Sequence, residues 1–338
     1  MVNVGVIGCG YWGPNHIRIF TQLESSKVLV CADINEDSLS RIRGMFPDVQ
    51  TTTDYKELLK NPDIDAVCIS VPTDMHYALT KECLQAGKHV LCEKPLTLDV
   101  GQSSQLLELA KKQKRVLMVG HVFLFNEGIR QLKQYIDSGE LGKVYYAYSI
   151  RTNLGPFRYD VNALWDLAPH DISIFNYLFN GPPVSASGRQ HCCLGEHLED
   201  LASATLEYND NIVANMHVSW LDPKKVRQIT VVGDKKMAVW DDLDGTGPVK
   251  LYDKHVEKTK TYYATYGEFQ LLSKEGSITI PNVKVVEPLK VQGQYFLDCV
   301  MKGTHPDIVD AQKGMDVVKT LHAIDTSSKN RGTAVEIN

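Results

Sequence analysis

The amino-acid sequence predicts an α/β domain on a doubly wound parallel sheet, then an α+β domain with a large, mostly antiparallel open sheet. Three observations carry this. Strand-like and helix-like segments alternate through the first 120 residues, the pattern of βαβ units whose sheet is covered on both faces. The run Gly8-Cys9-Gly10-Tyr11-Trp12-Gly13 directly follows the first apolar strand, where such a sheet turns into its first helix. Further on the period becomes two: Ile212, Ala214, Met216 and Val218 share one face, and Val213, Asn215, His217 and Ser219 the other. The reading divides the chain into domains at 1–120 and 121–338.

In order, strands are expected at 4–7, 28–32, 66–71, 89–92 and 116–119, with helices at 15–22, 37–45, 54–58, 76–86 and 100–112 between them. Gly87 stands where a left-handed helix stop is wanted. A helix at 126–138 starts on the cap Asn126, and alternating strands follow at 143–151, 184–190, 203–208, 211–220 and 227–232, interrupted by a helix at 164–179. Segment 241–286 holds short Tyr- and Thr-rich pieces readable as edge strands, and helices at 293–302 and 311–329 finish the chain.

The bulk numbers exclude several classes of function. At 338 residues, 43 % hydrophobic and 23 % charged, the chain is an ordinary globular protein long enough for two cores. A net charge of −5 advertises neither nucleic acid nor an anionic membrane as partner. No apolar run is long enough to span a bilayer, and the opening strand is too short for a signal-peptide core. The eight cysteines are scattered without a CxxC pair, which reads as reduced thiols and a cytoplasmic protein.

The glycine run carries cofactor chemistry because of its context: strand before, helix after, and Asp33 ending the next strand, ~20 residues on. Gly8 allows a tight turn, Gly10 lets backbone approach a pyrophosphate, and Gly13 lets helix and strand pack closely. The helix N-terminus offers amides and the positive end of its dipole. Asp33 accepts from both ribose hydroxyls and repels a 2′-phosphate. With Ile34 and Asn35 following and no arginine beside it in the chain, NAD is favoured over NADP. A structural glycine turn and a different dinucleotide such as FAD are the competing readings.

Two further motifs stand out: Glu93-Lys94-Pro95 after the strand at 89–92, and Asp166-Leu167-Ala168-Pro169-His170. Oxidising a secondary alcohol needs a base for its proton and an acceptor for its hydride. Asp166 and His170 are four apart, so on a helix they share a face and can hydrogen-bond. Asp166 would then orient His170, whose ordinary pKa near ~6.5 suits proton exchange. Lys94 would hydrogen-bond the reacting oxygen and stabilise developing alkoxide charge. The competing readings are a solvated lysine, a capping carboxylate and a core histidine. His191, Cys192, Cys193 and His197 cluster in sequence, but without zinc-like spacing, and no metal is expected.

The stretches Val71-Pro72-Thr73-Asp74-Met75-His76, Ala86-Gly87-Lys88-His89-Val90-Leu91-Cys92-Glu93-Lys94-Pro95 and Asp166-Leu167-Ala168-Pro169-His170-Asp171 resemble the glucose-fructose oxidoreductase / inositol dehydrogenase / rhizopine catabolism family. That resemblance implies a Rossmann domain lined toward NAD by Gly8, Gly10, Tyr11, Trp12, Gly13, Asp33, Pro72, Thr73, His76, Glu93 and Lys94. It implies that the lysine and histidine flank the reacting carbon, and that Pro95 fixes a cis backbone. His121, Asn126 and Arg158, with Tyr159 nearby, are implied to face the substrate with Asp166 and His170. One departure is Leu124, where many relatives carry arginine before the Phe-Asn pair.

The stretch from Arg151 to Asp171 looks most like the nucleotide-sugar branch, whose members oxidise C3 of a UDP-linked N-acetylhexosamine. Inositol or free-sugar dehydrogenation is the runner-up, then reduction of a 3-keto sugar nucleotide, then a non-catalytic NAD-binding regulator. Arg151, Arg158, Lys224, Lys225 and Arg227 are read as cations for a diphosphate, or else a solvated basic edge. The resemblance also implies a homodimer or homotetramer paired through the face of the second sheet, with Met216, Val218 and Trp220 contributing.

Overall fold

The computed structural model describes residues 1–195, 198–256, 273–274 and 276–337. His197, and residues 257–272 and 275 of the Tyr- and Thr-rich segment, lie outside the described residues. The chain forms two units, one of residues 1–125 with 286–319 and one of residues 126–285 with 320–338.

In the first unit, β1 (Val2–Ile7), α1 (Gly13–Gln22), β2 (Ser26–Ala32), α2 (Glu36–Met45), β3 (Gln50–Thr52), α3 (Lys56–Lys60), β4 (Ala66–Ile69), α4 (His76–Gln85), β5 (His89–Cys92), α5 (Val100–Gln113) and β6 (Leu117–Val119) alternate as expected. The sheet order is β3-β2-β1-β4-β5-β6, with every pair parallel. This is the doubly wound order, which reverses direction between β1 and β4. Its central strands are apolar on both faces, and Val4, Val6, Val67, Ile69 and Val90 are wholly buried. β3 has no signature in the sequence, because three polar residues on an edge need no apolar alternation. Segment 286–319 returns to this unit: Phe296 meets Phe20 edge-on at 6.4 Å, and Gly293 lets the two backbones approach over Ile19.

The second unit begins with α6 (Glu127–Asp137), β7 (Val144–Leu154), α7 (Ala163–Leu178), β8 (Ser185–His191), β9 (Leu201–Tyr208), β10 (Ile212–Ser219), β11 (Leu221–Gly233), β12 (Met237–Asp241) and β13 (Val249–Tyr252). The short pieces β14 (His255–Val256), β15 (Ser273–Lys274) and β16 (Ile278–Thr279) follow. In chain order α8 (Pro288–Lys302) then belongs to the first unit, α9 (Ala311–Lys329) runs from the first into the second, and β17 (Val335–Glu336) closes the second. Nine strands make one sheet in the order β16-β13-β12-β11-β7-β10-β9-β8-β17. Its pairs are antiparallel except β7 with β10. β11 starts six residues before the expected strand, because its register with β7 slips across 222–225 and interrupts the alternation.

α7 covers one face of this sheet, and that settles which half of the alternation is buried. Met216, Val218 and Trp220 point into the core. This corrects the expectation that these three side chains contribute to a pairing surface: the open face carries Tyr146 and Tyr148, stacked at 6.5 Å, with Thr205 and Asn215. Alternation in a sequence marks two faces but does not say which one a helix takes.

Candidate active site

The glycine loop is built around two close approaches. Gly8 has φ +94°, and a Cβ there would stand 2.4 Å from the carbonyl oxygen of Ser70. A Cβ on Gly13 would stand 2.2 Å from the Gly8 oxygen, so strand end and helix start are locked together. At Gly10 an added Cβ meets nothing within 4 Å, which leaves that backbone open to a ligand. Asn35 and Asp99 cap α2 and α5 with their side chains, whereas α1 has no capping side chain and no acidic residue in its first turn. Its amino end is therefore left free to receive a phosphate. Asp33 accepts from the amides of Cys9 at 2.6 Å and Asn35 at 2.8 Å, holding its carboxylate at the loop where a ribose would lie. These residues fit a bound dinucleotide. The structure adds an arginine that chain neighbours did not reveal: α2 brings Arg41 back so that its Nη2 donates to the Cys9 carbonyl at 3.1 Å.

β1 and β5 run parallel, so the glycine loop and Glu93-Lys94-Pro95 leave the sheet at the same edge. The Lys94–Pro95 bond is cis, and Lys94 is only 8 % exposed. Behind it, Glu93 Oε1 lies 2.8 Å from His16 Nε2, and Glu93 Oε2 accepts the Lys94 amide at 3.2 Å. Burial pushes the Glu93 carboxyl up, but the His16 hydrogen bond and charge, with Lys94, outweigh it and hold it ionised. Burial likewise opposes charge on His16, yet Cys68 and Glu93 raise the ring above its ordinary 6.5. At neutral pH Glu93 is the charged one of the two, because burial pushes the Cys68 thiol up. The sequence reading missed His16. The signal was there, since Gly13, His16, Ile17 and Phe20 form the buried stripe of α1.

His121 belongs to this unit and is 1 % exposed, with no partner for either ring nitrogen. Burial pushes its pKa down to about 4, with Glu93 opposing and Lys94 assisting. His76 is also buried, its nitrogens 2.8 Å from the Pro95 carbonyl and 3.0 Å from that of Val71. It ties the turn after β4 to the backbone just past Lys94. Pro72 precedes a 3₁₀ turn, Thr73–Met75, in which Thr73 is buried; Tyr11 and Trp12 lie exposed beside one another, edge to face at 5.7 Å.

In the second unit Asp166 and His170 lie four apart on α7, capped by Asn162 through the Trp165 amide. Pro169, between them, cannot supply the N–H that the Trp165 carbonyl would take in a regular helix. Asp166 accepts from Arg158 Nη1 at 3.1 Å and from Trp220 Nε1 at 3.2 Å, and Arg158 also grips Asp160. Asp171, next to His170, accepts Nε and Nη2 of Arg151 at 2.9 and 2.7 Å, with Ser149 on its other oxygen. Arg151 is thus held in a buried ion pair instead of standing ready for a diphosphate. Arg227 binds Asp242 at 3.1 Å, and Asn126, while capping α6, donates to the same carboxylate at 3.3 Å. Lys224 and Lys225 remain exposed. Among the described residues no group of three or more His, Cys, Asp or Glu could hold a metal, and no helix is long and apolar enough to cross a membrane.

Comparison with known proteins matches both parts of the chain. The model of an oxidoreductase family with an NAD-binding Rossmann fold covers residues 2–121, and that of the GFO/IDH/MocA C-terminal domain covers residues 129–239. The UDP-N-acetylglucosamine 3-dehydrogenase of Acidithiobacillus ferrooxidans is 27 % identical over 253 residues, 72 % of this chain and 75 % of its own length. The inositol 2-dehydrogenase of Rhodococcus jostii is 31 % identical over 186 residues, 53 % of this chain and 50 % of its own. The chain spans about half the length of the first curated relatives it matches. Among solved structures, an oxidoreductase from Magnetospirillum magnetotacticum has a TM-score of 0.80 at 27 % identity, over 96 % of this chain and 99 % of that one. With both domains matched in order around an NAD cradle, the chain belongs to the GFO/IDH/MocA family of oxidoreductases.

Proposed function

We propose that the chain oxidises a secondary hydroxyl of a sugar, at C3 of a UDP-linked N-acetylhexosamine such as UDP-N-acetylglucosamine, to the 3-keto sugar nucleotide. The observation that carries the reaction class is Lys94, a buried lysine leaving the sheet at the same edge as the dinucleotide loop. Its substrate branch is supported by the relative of that activity, which aligns over three quarters of its own length.

When bound, the nicotinamide accepts the hydride; the chain's own residues handle the oxygen and its proton. In this reading His170 takes the hydroxyl proton, and Lys94 donates a hydrogen bond to the same oxygen as charge develops on it. Glu93, kept ionised by His16, fixes the lysine from behind. His121 presents a neutral ring able to donate from one nitrogen and accept at the other. Asp166, held by Arg158 and Trp220, sets the polar wall beside His170. Run in reverse, the same groups reduce a ketone.

The test is the near-ultraviolet absorbance of reduced nicotinamide when the protein meets NAD and UDP-N-acetylglucosamine. Lys94→Met is expected to lower turnover by ~10³-fold or more, of order 4 kcal/mol in barrier, with NAD affinity within a few-fold. Turnover surviving within a few-fold in the variant removes Lys94 from the reaction. Signal with myo-inositol alone moves the substrate to the polyol reading, which the higher local identity of the inositol enzyme favours. We also propose that two copies pair through the open sheet face around Tyr146 and Tyr148. Tyr148→Glu is expected to lower the mass seen by light scattering, and an unchanged mass places pairing elsewhere.

A further inference from the structure

We propose a second ligand site in the first unit: an oxyanion-binding cavity at the amino end of the parallel sheet, at the opposite end of β5 from Lys94. A cavity of about 410 Å³ opens there, with Asp65, Gly87, Lys88, His89, Arg115 and Met301 in its lining. The proposal is independent of the function proposed above.

His89 Nδ1 lies 3.0 Å from the amide of Val116, which can only donate, so Nδ1 must accept. A neutral imidazole then carries its proton on Nε2. Burial keeps the ring neutral, with Arg115 adding to the effect and the Asp65 carboxylate opposing it. Yet Nε2 stands 3.3 Å from Arg115 Nη1, which is also a donor. Two N–H groups thus face each other with no acceptor between them. The alternative tautomer only transfers the conflict to the Val116 amide, and protonating the ring worsens it. An added acceptor removes it.

Charge says what kind of acceptor fits. Arg115 Nε is buried without a hydrogen-bond partner, and its guanidinium makes no salt bridge among the described residues. Lys88 is buried too, its Nζ on the carbonyl oxygens of Asn61 at 2.7 Å and Ile64 at 2.8 Å. The Asp65 carboxylate accepts the Asn3 amide at 2.8 Å. Gly87 puts no side chain over the guanidinium, its nearest atom to a would-be Cβ being Arg115 Nη2 at 3.7 Å. A water could accept from both facing N–H groups, but it brings no negative charge to the arginine, whose Nε is buried without a partner. A tetrahedral oxyanion, phosphate or the phosphate group of a monoester, accepts from the planar fork of Arg115 and from His89 Nε2 together.

The experiment is isothermal titration of inorganic phosphate into protein already saturated with NAD, so that the dinucleotide loop is filled, against chloride at equal ionic strength. One saturable site with a dissociation constant of ~1 mM is expected. Arg115→Gln should weaken it at least tenfold and Arg115→Lys, which keeps the charge but loses the fork, by less; NAD affinity should stay within twofold in both. Glycerol phosphate in a parallel arm separates the sources: tighter binding than phosphate assigns the site to a phosphomonoester, weaker binding to the free ion. No saturable heat beyond chloride in the unsubstituted protein, or equal binding in Arg115→Gln, overturns the site and leaves a water there.

Discussion

Each unit hides one ion pair directly behind a residue proposed for the chemistry, and the two pairs are built differently. In the first, Glu93 precedes Lys94 and is paired with His16. In the second, Asp171 follows His170 and is paired with Arg151, whose side chain is 3 % exposed. Both carboxylates are out of water, so both need a partner cation. An arginine cannot give up its proton in the accessible range, whereas a histidine can. The brace behind His170 is thus permanent, and the brace behind Lys94 is conditional on pH.

Four substitutions sharpen or break that contrast. The largest effect belongs to Arg151→Met, which strands a buried carboxylate and should cost ~3–5 kcal/mol in urea unfolding. Adding Asp171→Leu should recover most of it, and a double variant as unstable as the single one would mean that packing, not charge, is at stake. Glu93→Gln should cost less, ~1–3 kcal/mol, because His16 can drop its proton when its partner goes. A loss equal to that of Arg151→Met would show that His16 has no such escape and would erase the difference.

The smallest and most diagnostic effect is on the pH profile. His16 has a folded pKa raised above 6.5, so its contribution is complete below 6.5 and is lost as the solution becomes more basic. Glu93, held low, contributes above the ordinary carboxylate value and loses this as pH falls through its folded pKa. His121, pushed down to about 4, works the other way from His16, its contribution being lost as pH falls from 6.5 toward 4. Urea midpoints of the unsubstituted protein should therefore decline on the basic side of neutrality. His16→Gln should flatten that limb while leaving the acidic limb in place; an unaltered basic limb would make His16 a spectator.

Much of this was legible from the chain, for a physical reason. Periods of 3.6 and two are imposed by which face is buried, so the long central strands and the helices could be read, as could the glycine loop with Asp33, whereas short edge strands such as β3 and β17 could not. What could not be read depends on contacts between distant residues. Trp220 reaches Asp166 across 54 positions, and Arg41 reaches Cys9 across 32. Arg151 looked like a surface cation until α7 supplied Asp171, and Met216 and Val218 looked exposed until the same helix covered them. His16 was the avoidable omission, lying in plain view on an apolar stripe. The return of 286–319 to the first unit has no local signature at all, since an amphipathic helix reads the same whichever core it joins.

That return has a consequence for how the protein is made. The six strands of the parallel sheet are synthesised by residue 119, but the segment that packs against α1 arrives only from 286 onward. At ~5–20 residues per second, the wait is on the order of ten seconds or more. The nine-stranded sheet is no earlier, since β17 completes its edge at 335–336. Neither unit is finished until the last tenth or so of the chain emerges, so a ribosome stalled within the second unit leaves two incomplete cores, each with apolar surface still waiting for its cover.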